Sequence, residues 1–217
     1  MGRTPDARRR GDRRGLTARP FQNRVTPLGE IVATPERGLV YGNRGRLHDA
    51  DGRIRRDWQL KRWISCRLEF RGRRRPGGPM APDRYTGLFF LDEATAFAAG
   101  HRPCAECRRE DYVRFMELVG EKRAGDVDER LHAERLGARP VREIGELPDG
   151  AFVLRDGEAW LAFGGDLLRW TPGGYAERRA AVGRAPLLTP ESVLPALAAG
   201  WSGVVPFLHP STSRSRG

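Results

Sequence analysis

The sequence predicts an α+β fold, antiparallel and rich in strand, with three to four helices set around a two-cysteine knuckle. Three observations predict it. Residues 151–155, 158–163 and 166–170 are strand-like runs separated by Asp156-Gly157 and Gly164-Gly165, the dipeptides that two-residue hairpins favour. Tyr112, Phe115, Met116 and Val119 fall at i, i+3, i+4 and i+7, the stripe of an amphipathic helix. Strand and helix do not alternate along the chain, so a parallel α/β sheet is not expected.

At 217 residues the chain is long enough for one domain, or one domain and a small satellite. Its composition divides it into a disordered basic arm over 1–20, a domain over 21–145 that holds every cysteine, and a β meander plus helix over 146–217 that can belong to the same globule. No apolar run approaches the ~18 residues of a membrane span. The basic N-terminus lacks the apolar stretch of a secretory signal. Three cysteines with a metal-like spacing suit a reducing compartment, so a cytoplasmic location is expected.

The elements follow in order. Residues 25–33 read as a strand with a turn at its front, and 38–45 as a strand running into the loop Gly42-Asn43-Arg44-Gly45. Asp51-Gly52 marks a turn inside 47–54. From Trp63 the alternation reads as a strand, with Cys66, Leu68 and Phe70 on one face. Residues 71–79 form a basic, breaker-rich loop, and 85–91 a buried strand. Asp92 can cap a short alanine-rich helix that Gly100 stops. Helices follow over 108–122 and over 126–136, the second burying Val127, Leu131 and Leu136. After the meander, Thr189-Pro190-Glu191 starts a last helix running to about Ala199, and 204–208 reads as a closing strand.

The chemistry concentrates at Cys104-Ala105-Glu106-Cys107. Pro103 keeps Arg102 out of helical geometry, so the chain reaches Cys104 in a turn. Two thiolates three positions apart on a turn can grip one ion, and sulfur ligands favour zinc. The remaining cysteine, Cys66, makes a third ligand. The fourth is then a histidine, an acid or water, with His48 and His132 as the candidate histidines. The alternative is a metal-free pair, redox-active or simply packed, beside a basic helix start.

The run 90–107 resembles the Ada-like zinc-binding module of DNA-alkylation repair, which also accompanies some nucleases. The shared pattern is an aromatic strand end, an alanine-rich helix, then Gly100, Arg102, Pro103, Cys104 and Cys107, with His101 in an aromatic place. The module carries a second upstream ligand a few residues from the first, where this chain has Arg62 and Trp63. The resemblance implies a zinc ion and a role on DNA.

Charge supports a polyanionic partner. The net charge is +11, and it is segregated. Residues 1–20 hold seven arginines against Asp6 and Asp12, and residues 53–75 hold ten basic residues against Asp57 and Glu69. Phosphate neutralisation with counterion release drives such binding. Arg62, Arg71, Arg73, Arg74, Arg75 and Arg108 are the candidate nucleic-acid contacts, set near Trp63 and Phe70. The plainer alternative is a GC-rich genome, which yields arginine in place of lysine, since only Lys61 and Lys122 are lysine. Arg108 and Arg109 also oppose the dipole at a helix start, which a thiolate pair or a phosphate would offset. Glu134 reads as a possible general acid or base, or as a surface acid paired with Arg130 or Arg135. His209-Pro210-Ser211 resembles a DNA-contacting loop of uracil-DNA glycosylases.

The expected function is a zinc-stabilised DNA-binding protein of repair or nucleic-acid processing. The alternative is a metal-dependent or glycosylase-type hydrolase acting on nucleic acid, and no catalytic residue is singled out.

Overall fold

The structure, a computed structural model, describes residues 19–72 and 77–213. The arm up to residue 18 and the candidates Arg73, Arg74 and Arg75 lie outside the described residues. The fold is α+β. A six-stranded sheet is built from β1 (Gln22–Val25), β2 (Ile31–Ala33), β3 (Val40–Asn43), β4 (Ile64–Cys66), β5 (Leu88–Phe90) and β6 (Arg102–Pro103). Its strand order is β2-β1-β5-β3-β4-β6, antiparallel except for the β1–β5 and β4–β6 pairs. Between β5 and β6 lies α1 (Glu93–Ala98), followed by α2 (Arg109–Leu118) and α3 (Ala124–Leu136). A two-stranded ribbon pairs β7 (Val141–Glu143) with β12 (Arg184–Pro186).

The second large sheet is the expected meander: β8 (Phe152–Arg155), β9 (Glu158–Phe163), β10 (Asp166–Thr171) and β11 (Gly174–Ala180), all antiparallel. Asp156 and Gly157 both take positive φ, 53° and 78°, as a tight two-residue hairpin requires. After β12, one 3-10 turn leads into α4 (Leu194–Ala198).

Every residue of α1 is buried, and its small side chains explain how. Ala96 and Ala99 pack with Val25, Leu88 and Phe90 of the first sheet. Ala94 and Ala98 pack with Phe152, Leu161 and Leu168 of the meander. Phe97 enters a third cluster with Phe115, Trp160 and Trp201. Alanine lets both sheets close on one helix, so residues before and after position 145 share these clusters. Asp92 caps α1, accepting from the Thr95 backbone N–H at 2.9 Å.

Several expectations need correction. Residues 204–208 form no strand. Their carbonyls instead close the start of α1: Glu93 donates to the Pro206 oxygen and Ala94 to the Phe207 oxygen, both at 3.0 Å. That satisfies two of the N–H groups a helix start leaves open. The strand at Trp63 ends at Cys66, and Leu68 is 51% exposed. Leu136 is 65% exposed, because α3 ends there. The segment 25–33 is a hairpin, β1 and β2 flanking a turn, rather than one strand. β7, β11 and β12 were not expected.

Candidate metal centre

The centre is assembled by one parallel pairing. β4 and β6 run side by side, with Ile64 opposite Arg102 and Ser65 opposite Pro103. The Arg102 N–H donates to the Trp63 oxygen at 3.1 Å, and the Cys104 N–H to the Ser65 oxygen at 2.9 Å. This register carries Cys66, at the end of β4, to the knuckle. Gly100, with φ of 76°, turns the chain from α1 into β6. Beyond Pro103 the Glu106 N–H points at Cys104 Sγ, 3.4 Å away, and the Arg108 N–H donates to the Cys104 oxygen at 3.1 Å. That closed turn then opens α2.

The sulfurs of Cys66, Cys104 and Cys107 all lie within 4.8 Å of one another, and all three cysteines are buried. Hydrogen bonds from Cys107 and Cys66, helped by the N–H groups of Cys107 and Glu106, hold the Cys104 thiol well below its usual range. The same sharing with Cys104 raises Cys66 and Cys107. A cation that displaces the thiol protons would be met by three thiolates. Such a cluster can hold a metal ion.

The thiols open onto a cleft of about 620 Å³, whose wall includes Arg46, Arg62, Arg67, Arg84, Leu68, Phe70 and Tyr85. Tyr85 is 48% exposed. Arg46 pairs with Asp83 at 2.9 Å, and among the described residues Arg62, Arg67 and Arg84 have no such carboxylate partner. Arg71 stacks its guanidinium on Phe70, 4.9 Å from the ring centre.

The histidine candidates stand elsewhere. His48 is buried with both ring nitrogens engaged, Nδ1 with Thr86 Oγ1 at 2.6 Å and Nε2 with the Ala81 oxygen at 3.1 Å. It ties two loops together and is not brought to the thiols. His132 packs edge-on against Trp58, 4.5 Å between ring centres, also away from the thiols. Among the described residues no histidine or carboxylate joins the three sulfurs.

Arg108 is likewise not a nucleic-acid contact. Its guanidinium is buried, held by Glu93 at 2.5 Å and Asp111 at 2.7 Å, and it donates to Ser65 Oγ at 2.9 Å. These two carboxylates, rather than a thiolate pair or a phosphate, offset its charge at the start of α2. Glu134 accepts from the Ser192 N–H and hydroxyl and pairs with neither expected arginine. The His209 ring bonds its own neighbour Ser211 at 2.8 Å, inside a short 3-10 turn. Of the residues expected as contacts, Arg62 lines the cysteine cleft; Arg46, Arg67, Arg84 and Tyr85 line it too and were not singled out. Arg67 directly follows Cys66, and Arg84 directly precedes the expected strand over 85–91, which were the signals available.

No protein-family model, curated protein or solved structure matches the chain.

Proposed function

We propose that Cys66, Cys104 and Cys107 hold a zinc ion and that the chain is a zinc-stabilised DNA-binding protein of repair or nucleic-acid processing. The carrying observation is that the three thiols share one cleft with Arg46, Arg62, Arg67 and Arg84 and with exposed Leu68 and Tyr85. Zinc–sulfur bonds of about 2.3 Å at tetrahedral angles set sulfurs about 3.8 Å apart, which a cluster with all its sulfurs within 4.8 Å of one another accommodates. Zinc bound by three thiolates carries a net charge near −1, which the surrounding arginines tolerate. Those arginines suit phosphates, and the aromatic side chains of Tyr85 and Phe70 line the same cleft. The Ada-like resemblance supports the same reading, with Cys66 as its upstream ligand. A reducing, cytoplasmic setting keeps the thiols available for metal.

A second reading, a metal-dependent hydrolase acting on nucleic acid, is favoured by one observation. The sulfurs meet the cleft without a fourth protein ligand among the described residues, leaving a coordination position for water or substrate.

Fluorescence anisotropy with labelled single- and double-stranded DNA tests the reading. Arg62→Ala, Arg67→Ala and Arg84→Ala should each weaken binding and lower the salt slope by about 1. Binding to neither DNA, or binding unaltered in all three variants, overturns it. Cleavage or base release in the same tubes selects the hydrolase.

A further inference from the structure

The chain at β4 serves two different clefts. Ile64 and Cys66 line the metal cleft, whereas Trp63 lines a second cleft of about 500 Å³. The guanidinium carbons of Arg44 and Arg135 stand 3.8 and 3.9 Å from the centre of the Trp63 ring. Two groups that close to one ring centre cannot share a face, so the indole is sandwiched between two cations.

Neither cation has a direct carboxylate ion pair among the described residues, although Asp57 lies near enough to Arg44, and Asp128 and Glu134 to Arg135, to favour their charge. Arg44 is fully buried, and it donates to His101 Nε2 at 3.2 Å, to the Gly29 oxygen at 2.8 Å and to the Asp57 backbone oxygen at 3.4 Å. Arg135 donates to the Gly100 oxygen at 2.7 Å and the Lys61 oxygen at 2.9 Å. Every acceptor is uncharged, because burial and the nearby Arg44 hold His101 neutral. Burial lowers both arginines to about 9, and both stay protonated at neutral pH. Around the sandwich, Arg44 Nη2, Arg135 Nε, Trp63 Nε1 and His132 Nδ1 are buried without a hydrogen-bond partner. The first three can only donate. A buried, unpaired guanidinium is costly, and a group of orphaned donors asks for an acceptor with negative charge.

The acids on the cleft wall do not supply it. Glu134 is taken by Ser192, and Glu191 by Arg142. Glu30 sits near the Thr26 hydroxyl, and Asp57 offers Arg44 only its backbone oxygen. The rest of the wall includes Trp58, Leu28, Leu136 and Pro190, an apolar lining.

We propose that this second cleft binds a small organic oxyanion, a carboxylate or phosphate carried on an apolar body. Arg44 and Arg135 take the charged group, and Trp58, Leu28 and Leu136 take the body. Arg44, Trp63 and Arg135, which carry three of the orphaned nitrogens, line the cleft. Arg135, half-buried and tethered by two carbonyls, is the arm that swings outward to meet the ligand. The site is separate from the metal cleft and does not depend on its occupancy.

Isothermal titration of the full-length protein with phosphate, phenyl phosphate and benzoate, against chloride at matched ionic strength, tests this. The expected result is saturable 1:1 binding, tighter for a ring-bearing anion than for inorganic phosphate, with phenyl phosphate against benzoate deciding which oxyanion is preferred. Arg135→Gln should weaken it about tenfold, the loss of one charge-assisted hydrogen bond, and Arg53→Ala, an exposed arginine that lines neither cleft, should leave it intact. Arg135 is half-buried, so its variant should fold; a circular dichroism melt of the same sample confirms that. No saturable binding of any of the three anions, binding unchanged in Arg135→Gln, or binding lost in Arg53→Ala overturns the proposal.

Discussion

Arg108 and Ser65 are joined by a 2.9 Å hydrogen bond, and each stands beside a cysteine of the cluster, Cys107 and Cys66. One buried guanidinium thus links the two chain segments that supply the sulfurs. Glu93 of α1 and Asp111 of α2 hold the same guanidinium, so the cysteine cluster is tied to the helix that both sheets enclose.

Arg108→Ala should therefore act on fold and metal together. Removing one partner of a buried ion pair leaves Glu93 and Asp111 facing each other unpaired, at a cost of about 3–5 kcal/mol. Chemical denaturation should show that loss, and a competition titration with a zinc chelator should show weaker metal retention. Arg108→Lys should recover part of both. A variant as stable as the parent would remove this linking role.

Asp92 is the second buried tie. Its carboxylate accepts from the Thr95 N–H and hydroxyl, from the Tyr175 hydroxyl at 2.7 Å and from the His209 N–H at 2.9 Å. It joins α1, the meander and the C-terminal segment. Asp92→Ala strands these donors and should destabilise by roughly 3 kcal/mol or more, given about 1–3 kcal/mol for each buried donor left unpaired. Asp92→Asn keeps an acceptor oxygen and should cost less. Urea melts of the two variants check the order.

Stability should also fall in mild acid. Burial, then the charges of Arg44 and Arg135, hold His101 far below its ordinary value, so the folded state refuses a proton that the unfolded chain accepts below about pH 6.5. A depressed histidine leaves stability intact above that pH. Below it, stability is lost at about 1.4 kcal/mol per pH unit until the folded value is reached. Melts of chelator-treated protein between pH 7.5 and 5.5 isolate this from metal release. His101→Phe, which cannot titrate, should show a smaller slope; an equal slope would assign the acid sensitivity to another group.

The sequence made local chemistry legible. The Asp92 cap, the Gly100 stop and the hairpins at Asp156-Gly157 and Gly164-Gly165 each depend on residues a few positions apart, and the structure has all of them. The three cysteines were legible because soft ligands are few and no other cysteine competes. β11 was hidden because Glu177-Arg178-Arg179 has no apolar alternation. It is held by cross-strand pairs such as Arg178–Asp166 at 2.8 Å, along with its backbone ladder. The arginines misled for a related reason: residue type does not tell a solvated guanidinium from a buried one. Arg108 was expected at the surface and is buried among carboxylates, while Arg44 and Arg135 meet at Trp63 only through tertiary folding.

X-ray absorption at the zinc edge of the purified protein is the most direct test of the central claim. The account predicts one zinc per chain with three sulfurs at about 2.3 Å and one lighter atom in the remaining position. Absence of zinc, or a first shell without three sulfurs, would contradict it.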